Sequence, residues 1–482
     1  MRARVLDVLL AEENRKWWTL FAVSFGLFMI MLDNTVVNVA LPTMQRDLHV
    51  SISQLEWIVI AYALTFASLL ITGGKLADLY GRRRLFVVGL VVFSLSSLAC
   101  GLASNAGFLI GARAVQGVGA ALMSPATLSI IVATFPPKQR GQAIGIWAGV
   151  SALALAIGPL AGGLITEHLN WNWIFFINVP VGALAIVVSQ LAIRESRDTS
   201  LEQSIDVPGL LTSGGFLFSL SYALVEGNRH GWTSPEILGL FAGSAILLVT
   251  FVVLEHRQRL AMLDLSLFRI GAFTGANVVA MLVSLSMFGV FFFISLYVQN
   301  ILHYSPTKAG ATFLPMVLLI ILIAPIAGRL SDRIGSRWLM GGGMTLLGIS
   351  LLLYERIGVH SDFWTLLPSL LVGGVGMAMV MSPMTSAAMG AVPIDKAGVG
   401  SGVLNSFRQV GGSLGIAIMG AIVGASIHHP PRSAAGAQDF VNGLHRGFEV
   451  AAAITFVGAV VAIVLVRTRQ AVVREEIVEL AA

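Results

Sequence analysis

The sequence predicts an all-α polytopic membrane protein with 14 transmembrane helices, arranged as six helices, two inserted helices and six more. Three observations carry that expectation. Of 482 residues, 56% are hydrophobic and 11% charged, against about 25% charged in ordinary soluble domains. The apolar residues fall in runs of roughly twenty, the length a helix needs to cross a bilayer. The chain also repeats itself. Gly74-Lys75-Leu76-Ala77-Asp78-Leu79-Tyr80-Gly81-Arg82-Arg83 and Gly328-Arg329-Leu330-Ser331-Asp332-Arg333-Ile334-Gly335-Ser336-Arg337 share one pattern, and Met123-Ser124-Pro125 recurs as Met381-Ser382-Pro383. Spans must be helical, because lipid offers the backbone no hydrogen-bond partners.

Residues 1–16 mix charged and apolar side chains and are expected at the membrane interface. The first span, 17–41, contains one carboxylate, Asp33, about 12 Å below its outer end at about 1.5 Å per residue. A carboxylate at that depth is costly, so it marks a functional site by default. The second span, 54–73, runs into the first repeat loop. There Asp78 sits among Arg82, Arg83 and Arg84, where a helix end suits a carboxylate acceptor and the arginines anchor to the cytoplasmic face.

Spans 84–104 and 107–134 follow. The fourth carries Arg113 and Gln116, three apart on one helix face. Arg113 lies about 9 Å below the outer end. It is expected to pair with Asp33, the alternative being that it snorkels to the surface. Span 140–165 contains Gly145, Ala154, Gly158, Pro159, Gly162 and Gly163, which on mechanics alone read as a kinked packing face. The remaining spans are 173–193, 208–226, 235–254, 271–299, 306–327, 338–355, 362–385, 397–427 and 446–466. Those at 208–226 and 235–254 have no counterpart in either half. The domains are therefore 1–200, an N-terminal six-helix bundle, 201–262, two inserted helices, and 263–482, a C-terminal six-helix bundle.

The charges set the orientation. Of the 30 Lys and Arg, 22 fall in segments on the side of the termini and 6 on the other. That asymmetry predicts cytoplasmic termini and explains the net charge of +5 without nucleic acid. The one cysteine, Cys100, excludes an internal disulfide and a cysteine metal cluster. His428 and His429 adjoin without a third ligand, so no metal site is expected. Glu226 reads as a solvated loop residue. Trp17, Trp18, Trp171, Trp173 and Trp232 read as interface anchors. Residues 435–444 have a weak helical pattern consistent with a short outer cap or with disorder. Phe288, Phe291, Phe292, Phe293 and Tyr297 are candidates to line an apolar pocket.

With these motifs in hand the chain resembles the fourteen-helix drug:proton antiporters of the major facilitator superfamily, the QacA/EmrB-like branch, over nearly its whole length. Residues 32–42 match the first-helix motif, 74–83 the loop signature, 113–120 the arginine motif, and Gly145 to Gly163 the antiporter motif, with Ala154 where glycine is usual. Residues Asn405, Arg408, Gln409, Gly411, Gly412, Ser413 and Gly415 match a pattern of the thirteenth helix. The resemblance implies the major facilitator fold and proton-coupled efflux of lipophilic, cationic or amphipathic drugs. It implies no enzyme activity, no cofactor, and a monomer in the plasma membrane. Proton coupling is expected at Asp33 and Arg113. Substrate binding is expected at Asp33, Asn34, Asn38, Tyr62, Gln116, Phe292, Tyr297, Asn405, Arg408 and Gln409. Gating is expected at Gly74, Asp78, Gly81, Arg82, Arg83, Asp332, Arg333, Gly158, Pro159, Gly162 and Gly163. Span 306–327 has no Asp or Glu, which speaks against dication selectivity. The alternatives are an exporter of one endogenous metabolite, lipid or antibiotic, and a non-transporting membrane scaffold or sensor.

Overall fold

A computed structural model describes residues 12–197, 206–258, 265–392, 397–430 and 433–466. The expected interfacial segment 1–16 thus lies outside the described residues up to residue 11. The helices are α1 (Glu12–Leu48), α2 (Ile52–Tyr80), α3 (Arg82–Gly101), α4 (Ala106–Thr134), α5 (Pro137–His168), α6 (Trp173–Phe176 continued by Asn178–Ala192), α7 (Val207–His230), α8 (Pro235–Arg257), α9 (Gly271–Asn300), α10 (Pro306–Thr312 continued by Leu314–Ile334), α11 (Ser336–Leu353), α12 (Phe363–Gly390), α13 (Ala397–Ser426) and α14 (Ala434–Leu465). Among the described residues 13 helices are long and apolar enough to cross a membrane, all of these but α5. Helix α5 itself has 32 residues.

Local chemistry starts these helices. Ser51 accepts from Gln54 N at 3.3 Å while the Gln54 side chain accepts from Ser51 N at 3.0 Å, a reciprocal cap on α2. Asn105 caps α4 and Asp362 caps α12. Thr365 donates from both its hydroxyl and its backbone N–H to Asp362, which holds that exposed carboxyl below the usual carboxylate range. Helix α10 breaks at Phe313, two residues before Pro315, whose missing N–H removes a donor to the preceding turn.

Three expectations change. Helix α1 runs through Pro42 to Leu48, which places Asp33 about 22 Å from its end, deeper than the span limits suggested. Residues 435–444 are neither a separate cap nor a loop. They form the first turns of α14, started by Ser433 accepting from Gly436 N at 2.9 Å. Trp171 is no interface anchor, because it packs edge-on against Phe175 inside the core.

The internal repeat is realised as packing. Gly89 of α3 meets Gly119 of α4, and Gly343 of α11 meets Gly376 of α12, each close enough that a Cβ would clash with the facing carbonyl. Gly158 and Gly162 of α5 lie on α1 at Thr35 and Val36, as Gly411 and Gly415 of α13 lie on α9 at Met281 and Leu285. Such small-residue contacts drive helix association where no hydrophobic force acts between helices.

The two halves meet along α2–α13 and α5–α10. Hydrogen bonds join them near the Leu48 end of the bundle. Ser295 Oγ donates to Asn38 O at 2.7 Å, Gln299 Nε2 to Val39 O at 2.8 Å, Asn300 Nδ2 to Gln45 Oε1 at 3.1 Å, and Thr307 N to Glu167 Oε2 at 2.8 Å. The apolar core is shared in the same way. One body of buried side chains runs through both halves there, whereas a second body, from Leu20 to Ile193, belongs to the first half alone.

Candidate functional site: a buried ion pair in the first half

Asp33, Arg113 and Gln116 form one closed set. Asp33 sits on α1, Arg113 and Gln116 on α4, and they are 2%, 1% and 0% exposed. Arg113 Nη1 donates to Asp33 Oδ2 at 2.5 Å and to Gln116 Oε1 at 2.7 Å. Gln116 Nε2 returns to Asp33 Oδ1 at 3.0 Å, and Arg113 Nε donates to Ile58 O on α2 at 3.1 Å. The guanidinium lies 4.3 Å from the Tyr62 ring centroid and 5.7 Å from that of Phe175. Arg113 therefore does not snorkel. A buried charge needs a partner and further hydrogen bonds to be tolerated, and here both carboxylate oxygens are satisfied.

Local sequence makes this possible. The three-residue step from Arg113 to Gln116 puts both on the face turned to α1. Gly117 lets α2 approach, since a Cβ there would run into Thr65 Oγ1 and Tyr62 O. Thr65 Oγ1 donates to Ala114 O at 2.8 Å, fastening the two helices. The α5 face, Gly158 and Gly162, presses on α1 at Thr35 and Val36, two and three residues from Asp33. The same helix turns its other side to α10, where Gly163 meets Pro306 and Gly310 meets Pro159 O at backbone contact. Helix α5 thus joins the carboxylate's helix to the second half.

Of the other expected residues, Tyr62 borders this set and the rest bond or pack outside it. Asn34 and Asn38 bond back along α1, to Ile30 O at 2.9 Å and Asn34 O at 3.1 Å. Tyr62 is buried under Arg113, its hydroxyl without a hydrogen bond of normal geometry among the described residues. Phe292 and Tyr297 are buried in the core shared by the halves, and Tyr297 Oη donates to Gly358 O at 2.6 Å. Asn405, Arg408 and Gln409 stand on α13 of the second half, where Arg408 Nη2 donates to Thr385 Oγ1 at 3.1 Å. The structure does not bring these α9 and α13 side chains into the Asp33 set.

At the repeat loop Asp78 accepts from Arg82 Nε at 2.8 Å across the α2–α3 turn. Gly81 there has φ +113°, a backbone favouring glycine, and Glu195 packs where its Cβ would stand. Glu195 accepts from Arg83 N and Arg84 N at 3.0 and 3.1 Å, capping α3. Gly74 lies on Pro125, and Gly328 on Ser382, so each repeat loop packs on its Met-Ser-Pro motif. Gly335 repeats the positive φ at +89°, and Arg333 is exposed. The Asp332 side chain lies outside the described residues.

Sequence reasoning missed two residues and misplaced one. Glu195 gave no signal because its partners are 111 and 112 positions away. Glu56, in the first turns of α2, is 2% exposed, so Asp33 is not the only deeply buried carboxyl. Glu226 is not a solvated loop residue. It is 7% exposed and accepts from Trp57 Nε1 at 3.2 Å, because α7 packs its last turns against α2. Among the described residues no group of three or more His, Cys, Asp or Glu is placed to hold a metal.

Comparison with known proteins gives the site its setting. The sequence profile of the Major Facilitator Superfamily matches residues 23–416 and 276–478. A tetracenomycin C resistance and export protein of Streptomyces glaucescens is 35% identical over 415 residues, 86% of this chain and 77% of that protein. The multidrug resistance protein Stp of Mycobacterium tuberculosis (strain CDC 1551 / Oshkosh) is 36% identical over 410 residues, 84% of this chain and 76% of that protein. A solved bacterial homologue of the human lysosomal transporter Spinster, inward-facing and unoccupied, superposes with a TM-score of 0.67 over 94% of this chain and 97% of that one, at 17% identity.

Proposed function

The chain belongs to the major facilitator superfamily, and from that premise we propose that it exports lipophilic, cationic or amphipathic small molecules in exchange for protons, by alternating access. We read α5 as a further span, which gives fourteen in the order six, two, six, with the boundaries near residues 200 and 263. Both termini face the cytoplasm on the count of basic residues. The Leu48 end is then the outer end, and the seam of Ser295, Gln299 and Thr307 closes it.

The observation that carries the reading is the closed set of Asp33, Arg113 and Gln116 beside the α5 glycines. The charge on Asp33 is tolerated only while its two partners stay in place. A shift of α5 against α10 moves α1 through Thr35 and Val36, so the proton affinity of Asp33 follows the state of the seam. When the outer end opens, Asp33 takes a proton and its hold on a cationic substrate is released. When the inner end opens, it gives up the proton to the cytoplasm and accepts substrate again. One carboxylate then serves proton and substrate in turn, with Asp78 and Asp332 steadying the cytoplasmic loops.

The test is gradient-driven uptake into inverted vesicles for a panel of lipophilic cations and antibiotics. Wild-type protein is expected to concentrate members of the panel when the vesicle interior is acid, and Asp33→Asn to lose this while inserting normally. If Asp33→Asn still concentrates any of them against a gradient, the coupling scheme fails. The name of the Streptomyces relative specifies one antibiotic, which favours a second reading: export of a single compound. Transport of only one panel member supports that version.

A further inference from the structure

A second acidic site lies at the junction of the first half, the inserted pair and the second half. Glu56 of α2 is 2% exposed, and its carboxyl rests directly on Gly420 of α13, where a Cβ would collide with both oxygens. Among the described residues no basic side chain reaches it. Beside it, Trp57 Nε1 holds Glu226 Oε1 of α7 at 3.2 Å, so consecutive residues of α2 carry one buried carboxyl and bind the other. Glu226 Oε2 is buried and has no hydrogen-bond partner among the described residues. Two residues on, Asn228 Nδ2 donates to Ala421 O at 2.7 Å and packs on Gly424, so α7 is bonded to the same stretch of α13 that receives Glu56.

The groups facing the pair are few. Arg229 and His230, both on α7, stand 3.7 and 3.9 Å from Glu226 Oε2, and the Arg229 side chain is 77% exposed. Toward the pair α2 presents Trp57, and α13 presents Gly420, Ala421 and Gly424. Neither helix supplies a cation. A carboxylate buried at Glu56 without a cation carries a large desolvation cost.

We propose that Glu56 and Glu226 form a proton-binding site separate from Asp33, with the proton on Glu56, latching α2, α7 and α13 at the Leu48 end. The proton comes from solvent at that end and returns to it. Its loss places two negative charges in the junction, with a largely exposed arginine as their nearest counter-ion, and drives α13 off α2. This gives the inserted helices a role, since α7 supplies half of the site. The proton site stands whether or not Asp33 couples transport. Only the opening of the seam rests on the alternating-access reading.

Infrared difference spectra of the full protein in lipid vesicles, titrated from acid to alkaline pH, read the proton directly as the C=O stretch of a protonated carboxyl. Hydrogen–deuterium exchange of residues 416–426 reads the latch. Wild-type protein is expected to show a protonated-carboxyl band that fades as pH rises, with protection of 416–426 falling alongside it. Glu56→Gln is expected to remove the band and the pH response of that segment, Glu226→Gln to keep the band but make it fade at lower pH, and Asp33→Asn to leave both unchanged. Should Glu56→Gln fail to insert, the shift in Glu226→Gln, at the end of α7, still tests the site. Persistence of the band in Glu56→Gln, an unshifted band in Glu226→Gln, its loss in Asp33→Asn, or an unchanged pH response of 416–426 overturns the proposal.

Discussion

The two halves of this protein share a backbone plan and differ in chemistry. Aligned on the caps Asn105 and Asp362 and on the helix contacts Gly119 and Gly376, Arg113 corresponds to Leu370, which is buried. Aligned on the glycine faces of α5 and α13, Asp33 corresponds to a position within residues 279–282 of α9, Val-Ala-Met-Leu, without an ionisable group. Loops, caps and close-packed glycines recur, but the ion pair does not. Packing is thus what the repeat preserves, and the charged set is an addition that only one half carries. Where a fold needs helices at a given distance, a glycine at the crossing suffices. A buried charge pair is weak support for stability, so its presence in one half alone points to use rather than to architecture.

Giving the first half the chemistry of the second is the sharpest way to break that comparison. Arg113→Leu leaves Asp33 buried without its cation, which is expected to cost about 3–5 kcal/mol and to lower the yield of folded protein severely. Asp33→Met together with Arg113→Leu is expected to recover most of this stability, short of about 1–3 kcal/mol for Gln116 Nε2, which loses Asp33 as its acceptor while Oε1 keeps the Cys100 thiol at 3.7 Å. Transport is expected to stay absent in both. Thermal unfolding in detergent and vesicle efflux check the pair. A double variant no more stable than Arg113→Leu means that the ion pair is architectural after all.

Glycine faces test the shared part of the plan. A methyl at Gly158 collides with Thr35 Oγ1, whereas at Gly149, on the same helix, nothing lies within 4 Å. Gly158→Ala is expected to cost about 1–3 kcal/mol by overpacking and to slow efflux at least tenfold. Gly149→Ala should leave both near wild type. Equal behaviour of the two variants removes α5 as the link between Asp33 and the second half.

This contrast also marks what the sequence discloses. Span positions follow from apolar runs, the repeat from two loop motifs, and the Asp33–Arg113 pair from the absence of another deep partner within the first spans. The three-residue step to Gln116 is helix geometry and needs no tertiary knowledge. The glycines of α5 read as a packing face, but periodicity does not say that one side meets α1 and the other α10. Glu56 and Glu226 escape for a related reason. Each lies within a few residues of a helix end, where solvent is the default, and only the crossing of α2, α7 and α13 buries them. Tertiary neighbours decide such positions, and a single chain read along its length does not contain them.

The smallest effect concerns the seam between the halves. Ser295 Oγ donates to Asn38 O at 2.7 Å, five residues along α1 from Asp33. A neutral hydrogen bond of this kind contributes about 0.5–1.5 kcal/mol net, so Ser295→Ala is expected to weaken the closed Leu48 end by that much. That corresponds to a shift of roughly two- to twelvefold in the ratio of closed to open states. Spin labels at the exposed positions Asp47 and His303, which flank the seam, report it as a smaller short-distance fraction in double electron–electron resonance. The stability of the isolated halves should barely change, since the bond joins them and supports neither. If the distance distribution is unaltered, the seam is held by the α5–α10 glycine contacts rather than by its hydrogen bonds. Gly310→Ala, which collides with Pro159 O, then becomes the variant that opens it.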